Sequence, residues 1–235
     1  KEDTIDAMLS AGNTGGLVMA AAKHIPMIEG VERSALAAVI PTRDFKTDSD
    51  GISLILDVGA TVGCNVKHLV HFAIMGTIYA REILNISDPR VGLLNNGTEE
   101  TKGGPELRKV YKLLKEVSGL RFAGNIEGSD IVKNAADVIV CEGMAGNIII
   151  KLMEGIADSL FELGKFAAKK NMAYFFALGI LRSGLKKLKK KFDYAEYGGA
   201  PLLGFQYLCI KAHGKSKAKA VKNAAGVAIR SAQDS

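Results

Sequence analysis

Apolar residues along this 235-residue chain fall into two alternating kinds of run. Short stretches rich in β-branched residues occupy 35–40, 52–58, 91–94, 121–123 and 137–141, whereas 66–84 and 106–117 carry their apolar residues at helical spacing. Strands alternating with helices predict an α/β fold, a three-layer α/β/α arrangement with a mostly parallel sheet covered on both faces. From Ile52 to Leu56 the chain is apolar apart from Ser53, as a strand buried on both sides requires, and Asp57 marks its carboxyl end. The first nine residues run into Ser10 with no strand predicted among them, so the sheet is expected to begin upstream of Lys1.

Glycine-rich turns punctuate these elements. They read SAGNTGG from Ser10, DVGAT from Asp57, LLNNGTEETKGG from Leu93, GNIEGSD from Gly124, EGMAGN from Glu142 and EYGGAPLLG from Glu196. Several follow an apolar run or open a helical one, which is where an open α/β sheet gathers its ligand-binding loops. One such loop would mean little. Six in one chain predict a shared crevice lined with backbone N–H groups and suited to an anion.

Composition narrows the class. With 48% hydrophobic and 24% charged residues the chain can bury a substantial core as one domain, and no linker or repeat divides it. Cys64, Cys141 and Cys209 are odd in number and lack CxxC spacing, which points to reduced thiols and a cytoplasmic protein. The four histidines form no ligand pattern, so no metal site is expected.

Charge is uneven. Residues 165–192 hold nine Lys or Arg and no Asp or Glu, so the net charge of +6 is local. Within that window MAYFFALGIL, from Met172 to Leu181 and including Phe175 and Phe176, precedes a lysine-rich stretch with Lys186 and Lys187. Ten residues rise about 15 Å as helix, roughly half a bilayer core, so the segment cannot span a membrane. It is suited to lie on an anionic lipid surface. The other reading is an apolar face buried in a dimer, and both can hold. The basic run contains no nucleic-acid-reading motif, so no nucleic-acid partner is expected.

At this level the residues carry a resemblance. The ordered motifs SAGNTG, LDVGA, FAIMGTIYA, PRVGLLN, EETKG, FAGNIEGSDI, DVIVCEG with the following GN, DYAEYGGAPLLG and IKAHGKS resemble the bacterial phosphate acyltransferase (PlsX) family across essentially the whole chain. The family normally has a further N-terminal segment of several dozen residues. The resemblance implies a fold similar to the phosphotransacetylase and isocitrate/isopropylmalate dehydrogenase group, and a homodimer that docks peripherally on the inner face of the membrane. It implies transfer of a long acyl chain from acyl carrier protein to inorganic phosphate, giving acyl phosphate for phospholipid synthesis, with no metal or other cofactor.

That chemistry can be set against the residues. Phosphate is already a nucleophile near neutrality, so what the reaction needs is a cation and neutral donors aimed at charge developing on the thioester oxygen. Lys102 in EETKGG is the candidate cation, against the alternative of a solvated loop lysine. Asn147, expected to open a helix from Ile148, is the candidate amide donor, against an ordinary helix cap. Ser10, Asn13 and Thr14 are read as binding phosphate or the pantetheine arm, or else as a plain turn. Asp57 is read as orienting a lysine or backbone donors, since two anions repel. Glu99 and Glu100 are candidates for the same site, with surface charge as the alternative. His213 is a candidate proton donor to the leaving thiolate, or a structural histidine.

Four positions depart from the family pattern: Thr61 stands where DVGAN has Asn, Asn96 and Thr98 alter the loop before Glu99, and Met144 follows Gly143. Two other functions compete. A CoA-dependent phosphate acetyl- or butyryltransferase shares the fold but gives no reason for the basic segment, and a non-enzymatic membrane-docking scaffold explains that segment but not six loops.

Overall fold

A computed structural model describes residues 5, 7–44, 49–170, 179–180, 199–212 and 218–233. In chain order its elements are β1 (Ala7–Ser10), α1 (Thr14–His24), β2 (Ala35–Leu36), β3 (Ala38–Asp44), β4 (Ser49–Leu56), α2 (Val66–Glu82), β5 (Arg90–Leu94), α3 (Pro105–Glu116), β6 (Arg121–Ile126), β7 (Val138–Val140), α4 (Gly143–Lys170), β8 (Ala200–Leu203), β9 (Leu208–Lys211) and α5 (Ala218–Gln233). A short 3₁₀ turn at Ile131–Lys133 precedes β7.

The α/β class is as expected, but the strands form two sheets. The larger has the order β3-β4-β7-β5-β6, with β4, β7, β5 and β6 parallel and β3 antiparallel at the edge. Pro41 lies in β3, where an edge strand tolerates the missing N–H. The smaller sheet, β1-β9-β8-β2, mixes one parallel pairing with two antiparallel ones. Its β1 is a strand where none was expected. Four residues with no strong β-branched pattern gave no signal, and they are held by pairing with β9, from Ala7 opposite Leu208 to Ser10 opposite Lys211.

Side-chain alternation along the central strands builds a core on each face. Leu54, Leu56, Val138 and Val140 pack against α2 and α3, whereas Ile55 and Ile139 point to the opposite face. Both faces are buried, so these strands read as continuous apolar runs. On the first face α2 buries Leu69, Phe72, Ala73, Gly76, Tyr79 and Ala80, spaced three and four apart. Its start is a capping box in which Asn65 and His68 exchange side-chain and backbone bonds. Gly76 permits the helix to sit close, since a Cβ there would lie 2.7 Å from Val138 and 2.9 Å from Leu56. On the second face Ile55 and Ile139 meet Leu17 and Ala21 of α1, Leu202, Cys209 and the partly buried Ile150 and Met153 of α4. That cluster joins the two sheets.

Candidate active site

Because β4, β7, β5 and β6 run parallel, the turns that follow them all emerge at one edge of the larger sheet. These turns are residues 57–61, 141–142 leading into α4, 95–104 and 127–130. In the smaller sheet β1 and β9 also run parallel, so the turn after Ser10 and the end of β9 at Lys211 share an edge, tied by a bond from the Ala212 N–H to the Ser10 carbonyl at 2.8 Å.

Asp57 organises the first of these turns. Its carboxylate is fully buried; Oδ1 accepts from the N–H groups of Leu36, Gly59 and Ala60 at 2.9, 3.0 and 2.9 Å, and Oδ2 accepts from Thr61 N–H at 2.6 Å. Burial pushes its pKa up, against the four N–H donors that pull it down. The Thr61 hydroxyl donates to the Ser34 carbonyl at 2.9 Å inside the protein, so the departure from Asn at this position is a buried brace.

Helix α4 starts earlier than expected, at Gly143 rather than near Ile148, so Asn147 lies within its first turns instead of opening it. The reason is contact at the backbone. A Cβ on Gly143 would lie 2.3 Å from the Thr61 carbonyl oxygen, and one on Gly146 would lie 2.0 Å from that of Asp57. Two glycines with poor helix propensity therefore sit where only glycine lets the helix end dock onto the Asp57 turn. Asn147 is thereby set against Gly59, whose added Cβ would meet the Asn147 side chain at 3.6 Å.

Between α4, β3 and the β8–β9 edge lies a cavity of about 320 Å³. Leu36, Val39, Ile40, Val58, Ile150 and Met153 make its wall apolar. Thr14, Asn147, Lys151, Glu154 and Lys211 supply its polar groups. The structure thus brings Thr14, Asn147 and the Asp57 turn together. Ser10 and Asn13 are occupied locally: the Ser10 hydroxyl accepts from Gly12 N–H at 3.2 Å, and the Asn13 amide oxygen caps α1 by accepting from Gly16 N–H at 3.0 Å.

Lys102, Glu99 and Glu100 do not line that cavity. Their loop is stitched by amides: Asn95 donates to the Lys102 carbonyl at 3.2 Å, Asn96 accepts from Gly103 N–H at 3.1 Å, and Asn125 donates to the Glu99 carbonyl at 2.8 Å. Asn96, a departure from the family pattern, is therefore a brace of the loop. The Lys102 stem lies across Gly97 and its ammonium is 3.8 Å from Glu99, with the side chain 44% exposed. Glu100 pairs with Lys115 of α3, which lowers its pKa. His213, Met172, Phe175, Phe176, Leu181, Lys186 and Lys187 lie outside the described residues.

Lys211 and Lys151 are site residues that sequence reasoning passed over. Lys151 stands four residues after Asn147, the spacing that puts two side chains on one helix face, so that signal was present. Lys211 ends β9 two residues before His213, and only the pairing of β9 with β1 and β8 reveals where it goes. Burial, reinforced by nearby Lys151, lowers its pKa. The thiols are unsuited to nucleophilic work: burial pushes Cys64 up to about 11, and Cys141 rises as well, its Sγ 3.4 Å from the Asp57 carbonyl oxygen.

The profile of the fatty acid synthesis protein family matches residues 1–235. Phosphate acyltransferase of Alkaliphilus oremlandii is 46% identical over 230 residues, which is 98% of this chain and 67% of the relative. That of Dictyoglomus thermophilum is 45% identical over 224 residues, 95% of this chain and 65% of the relative. The chain therefore spans about two thirds of the length of these curated relatives. Among solved structures, a phosphotransacetylase from Streptococcus pyogenes superimposes with a TM-score of 0.63 at 18% identity, covering 98% of this chain and 64% of that one. A phosphotransacetylase from Staphylococcus aureus gives 0.61 at 16% identity, covering 99% and 64%. At such identity these two likenesses speak to the fold alone.

Proposed function

Since the chain belongs to the fatty acid synthesis protein family, we propose that it is a phosphate acyltransferase moving a long-chain acyl group from acyl carrier protein to inorganic phosphate. The observation that carries this reading is the cavity, in which an apolar wall suited to an acyl chain meets cationic and amide groups from Asn147, Lys151 and Lys211. A phosphate oxygen attacks the thioester carbonyl carbon, the carbonyl oxygen takes up negative charge, and the carbon–sulfur bond then breaks to release the pantetheine thiolate and leave acyl phosphate. The thiolate is protonated from solvent. A transferase restricted to acetyl groups needs little of that apolar wall, which is why the long-chain reading is preferred to the CoA-dependent one.

Lys102 and Asn147 are the groups we assign to the developing charge. Asn147 lines the cavity; Lys102 does not, and its assignment rests on its being the cation of the neighbouring turn at the same sheet edge. Lys102→Ala and Asn147→Ala are each expected to lower turnover about tenfold or more, roughly 1.4 kcal/mol of barrier, with unfolding midpoints unchanged. Wild-type turnover in both folded variants would remove them from the mechanism. The function itself is tested by incubating the protein with palmitoyl-carrier protein and labelled phosphate and looking for acyl phosphate, with acetyl-CoA in parallel. Transfer from acetyl-CoA alone would favour the short-chain alternative, and no transfer from either would leave the scaffold reading.

The same proposal treats 1–235 as one acyltransferase domain with an amphipathic protrusion at about 165–192, acting as a homodimer on the inner face of the membrane. Met144, Ile148, Leu152, Ile156, Leu160 and Leu163 are all exposed and recur every three or four residues along α4. Such a face is suited to a second copy of the chain. Leu160→Asp is expected to shift the protein from dimer to monomer in sedimentation equilibrium, and an unchanged mass would move the interface elsewhere. Among the described residues no helix is long and apolar enough to cross a membrane. Contact with lipid is assigned to 172–192, where an apolar decapeptide precedes a lysine-rich stretch, as surface docking, which sedimentation with phosphatidylglycerol vesicles tests.

A further inference from the structure

Lys211 is a lysine 8% exposed at the end of β9, and burying an ammonium is unfavourable unless something compensates the charge. Its ammonium donates to the neighbouring Ala212 carbonyl, a neutral partner. Among the described residues it makes no ion pair. The second cation of the cavity, Lys151, is near enough to lower the Lys211 pKa, and it is held at 3.2 Å by Glu154. The cavity therefore contains two ammonium groups and one carboxylate, with the excess positive charge on the more deeply buried lysine. Around them stand the Asn147 amide and the Thr14 hydroxyl, both able to donate to oxygen. The Lys151 side chain is 57% exposed, so solvent screens part of its repulsion of Lys211, and a bound dianion turns what remains into attraction on both sides.

We infer that Lys211, assisted by Lys151, is the binding residue for the phosphate group at the polar end of the cavity, holding inorganic phosphate before the transfer and the head of the acyl phosphate after it. This rests on the acyltransferase reading above and adds a residue to it. The geometry separates two tasks. Lys211 is fixed at a strand end by the pairing of Ser10 and Ala200 to either side of it, so it anchors the nucleophile. Asn147 lines the same cavity from α4 together with Ile150 and Met153, and it is the neutral donor assigned to the thioester oxygen.

Three variants test this: Lys211→Met, which keeps the aliphatic stem and removes the charge, Lys211→Arg, which keeps the charge, and Lys151→Met. Two readouts are measured for each, the KM for phosphate against the KM for palmitoyl-carrier protein, and the rise in Tm on adding inorganic phosphate with no acyl donor present. Lys211→Met is expected to raise the phosphate KM about tenfold or more, to leave the donor KM nearly unchanged and to abolish the phosphate-induced rise in Tm. Lys211→Arg should retain most of that rise, and Lys151→Met should weaken phosphate about threefold. An unaltered phosphate KM and Tm response in Lys211→Met overturns the inference, as does a fall in both KM discrimination and Tm that arginine does not rescue. Should Lys211→Met not fold, a Lys151→Met protein that binds phosphate as the wild type does is sufficient to reject it. If the wild type responds to phosphate but transfers no acyl group, the function fails while the Lys211 assignment is still read from the Tm series.

Discussion

Gly146→Ala is expected to destabilise the protein by roughly 3 kcal/mol or more, although the same exchange within an ordinary helix is favourable by about 1 kcal/mol. The reversal has a local cause. A methyl group at Gly146 would lie 2.0 Å from the Asp57 carbonyl oxygen, 3.0 Å from its carbonyl carbon and 3.0 Å from the Cys141 sulfur. Two of those atoms are backbone of the turn that Asp57 holds, so no rotamer change relieves the clash, and the start of α4 has to lift away from β4. Asn147 moves with it, so activity is expected to fall with stability. Gly155 supplies the control, because it lies in the same helix and a Cβ there meets nothing within 4 Å. Gly155→Ala is expected to be neutral or mildly stabilising. Equal denaturant midpoints for the two alanine variants would show that the helix does not approach the turn as closely as described.

What the sequence made legible was the large sheet and its covering helices. The run from Ile52 to Leu56 announces β4 because both of its faces are covered, one by α2 and one by the cluster around Leu17 and Leu202. Residues 66–84 and 106–117 match α2 and α3 to within two residues, since each has a buried stripe at helical spacing. The small sheet was harder. Strands β1, β8 and β9 are four residues each and owe their conformation to one another, so no single stretch shows a period. The antiparallel entry of β3 was also hidden: its charged connection to β4 gave no hairpin signal.

The site divides along the same line. Motif glycines marked the turn at 57–61 and the start of α4, and the reason for Gly143 and Gly146 is their contact with Thr61 and Asp57, far away in the chain and visible only after folding. Attention to loops also favoured Lys102 and His213 over Lys211, a residue in a strand whose neighbours across the cavity come from α1 and α4. A buried lysine in a short strand carries no sequence signature, because what distinguishes it is the apolar wall built by other elements.

Asp57→Asn is the second substitution expected to have a large effect, and two opposing contributions decide its size. The carboxylate accepts four backbone N–H bonds, three through one oxygen and one through the other. An asparagine offers one oxygen. If that oxygen faces Leu36, Gly59 and Ala60, the amide nitrogen confronts the Thr61 N–H, and two buried donors are left facing each other. Removing the charge, on the other side, relieves the burial that raises the Asp57 pKa above its ordinary value of 3.8. The unmatched donors win, because water cannot enter a fully buried site to satisfy them. A loss of about 2–4 kcal/mol is expected from urea unfolding near neutral pH, together with lower activity, since Val58 and Gly59 of the loosened turn line the cavity. The pH dependence separates the two contributions. A carboxyl whose folded pKa is raised contributes stability that is complete below its unfolded pKa and is lost as pH rises through the folded one, so the wild type should show a falling step above about pH 3.8 that Asp57→Asn lacks. An asparagine variant as stable as the wild type at neutral pH would mean that relief of burial outweighs the four hydrogen bonds, and Asp57 would then be retained for the shape of the turn at the expense of stability.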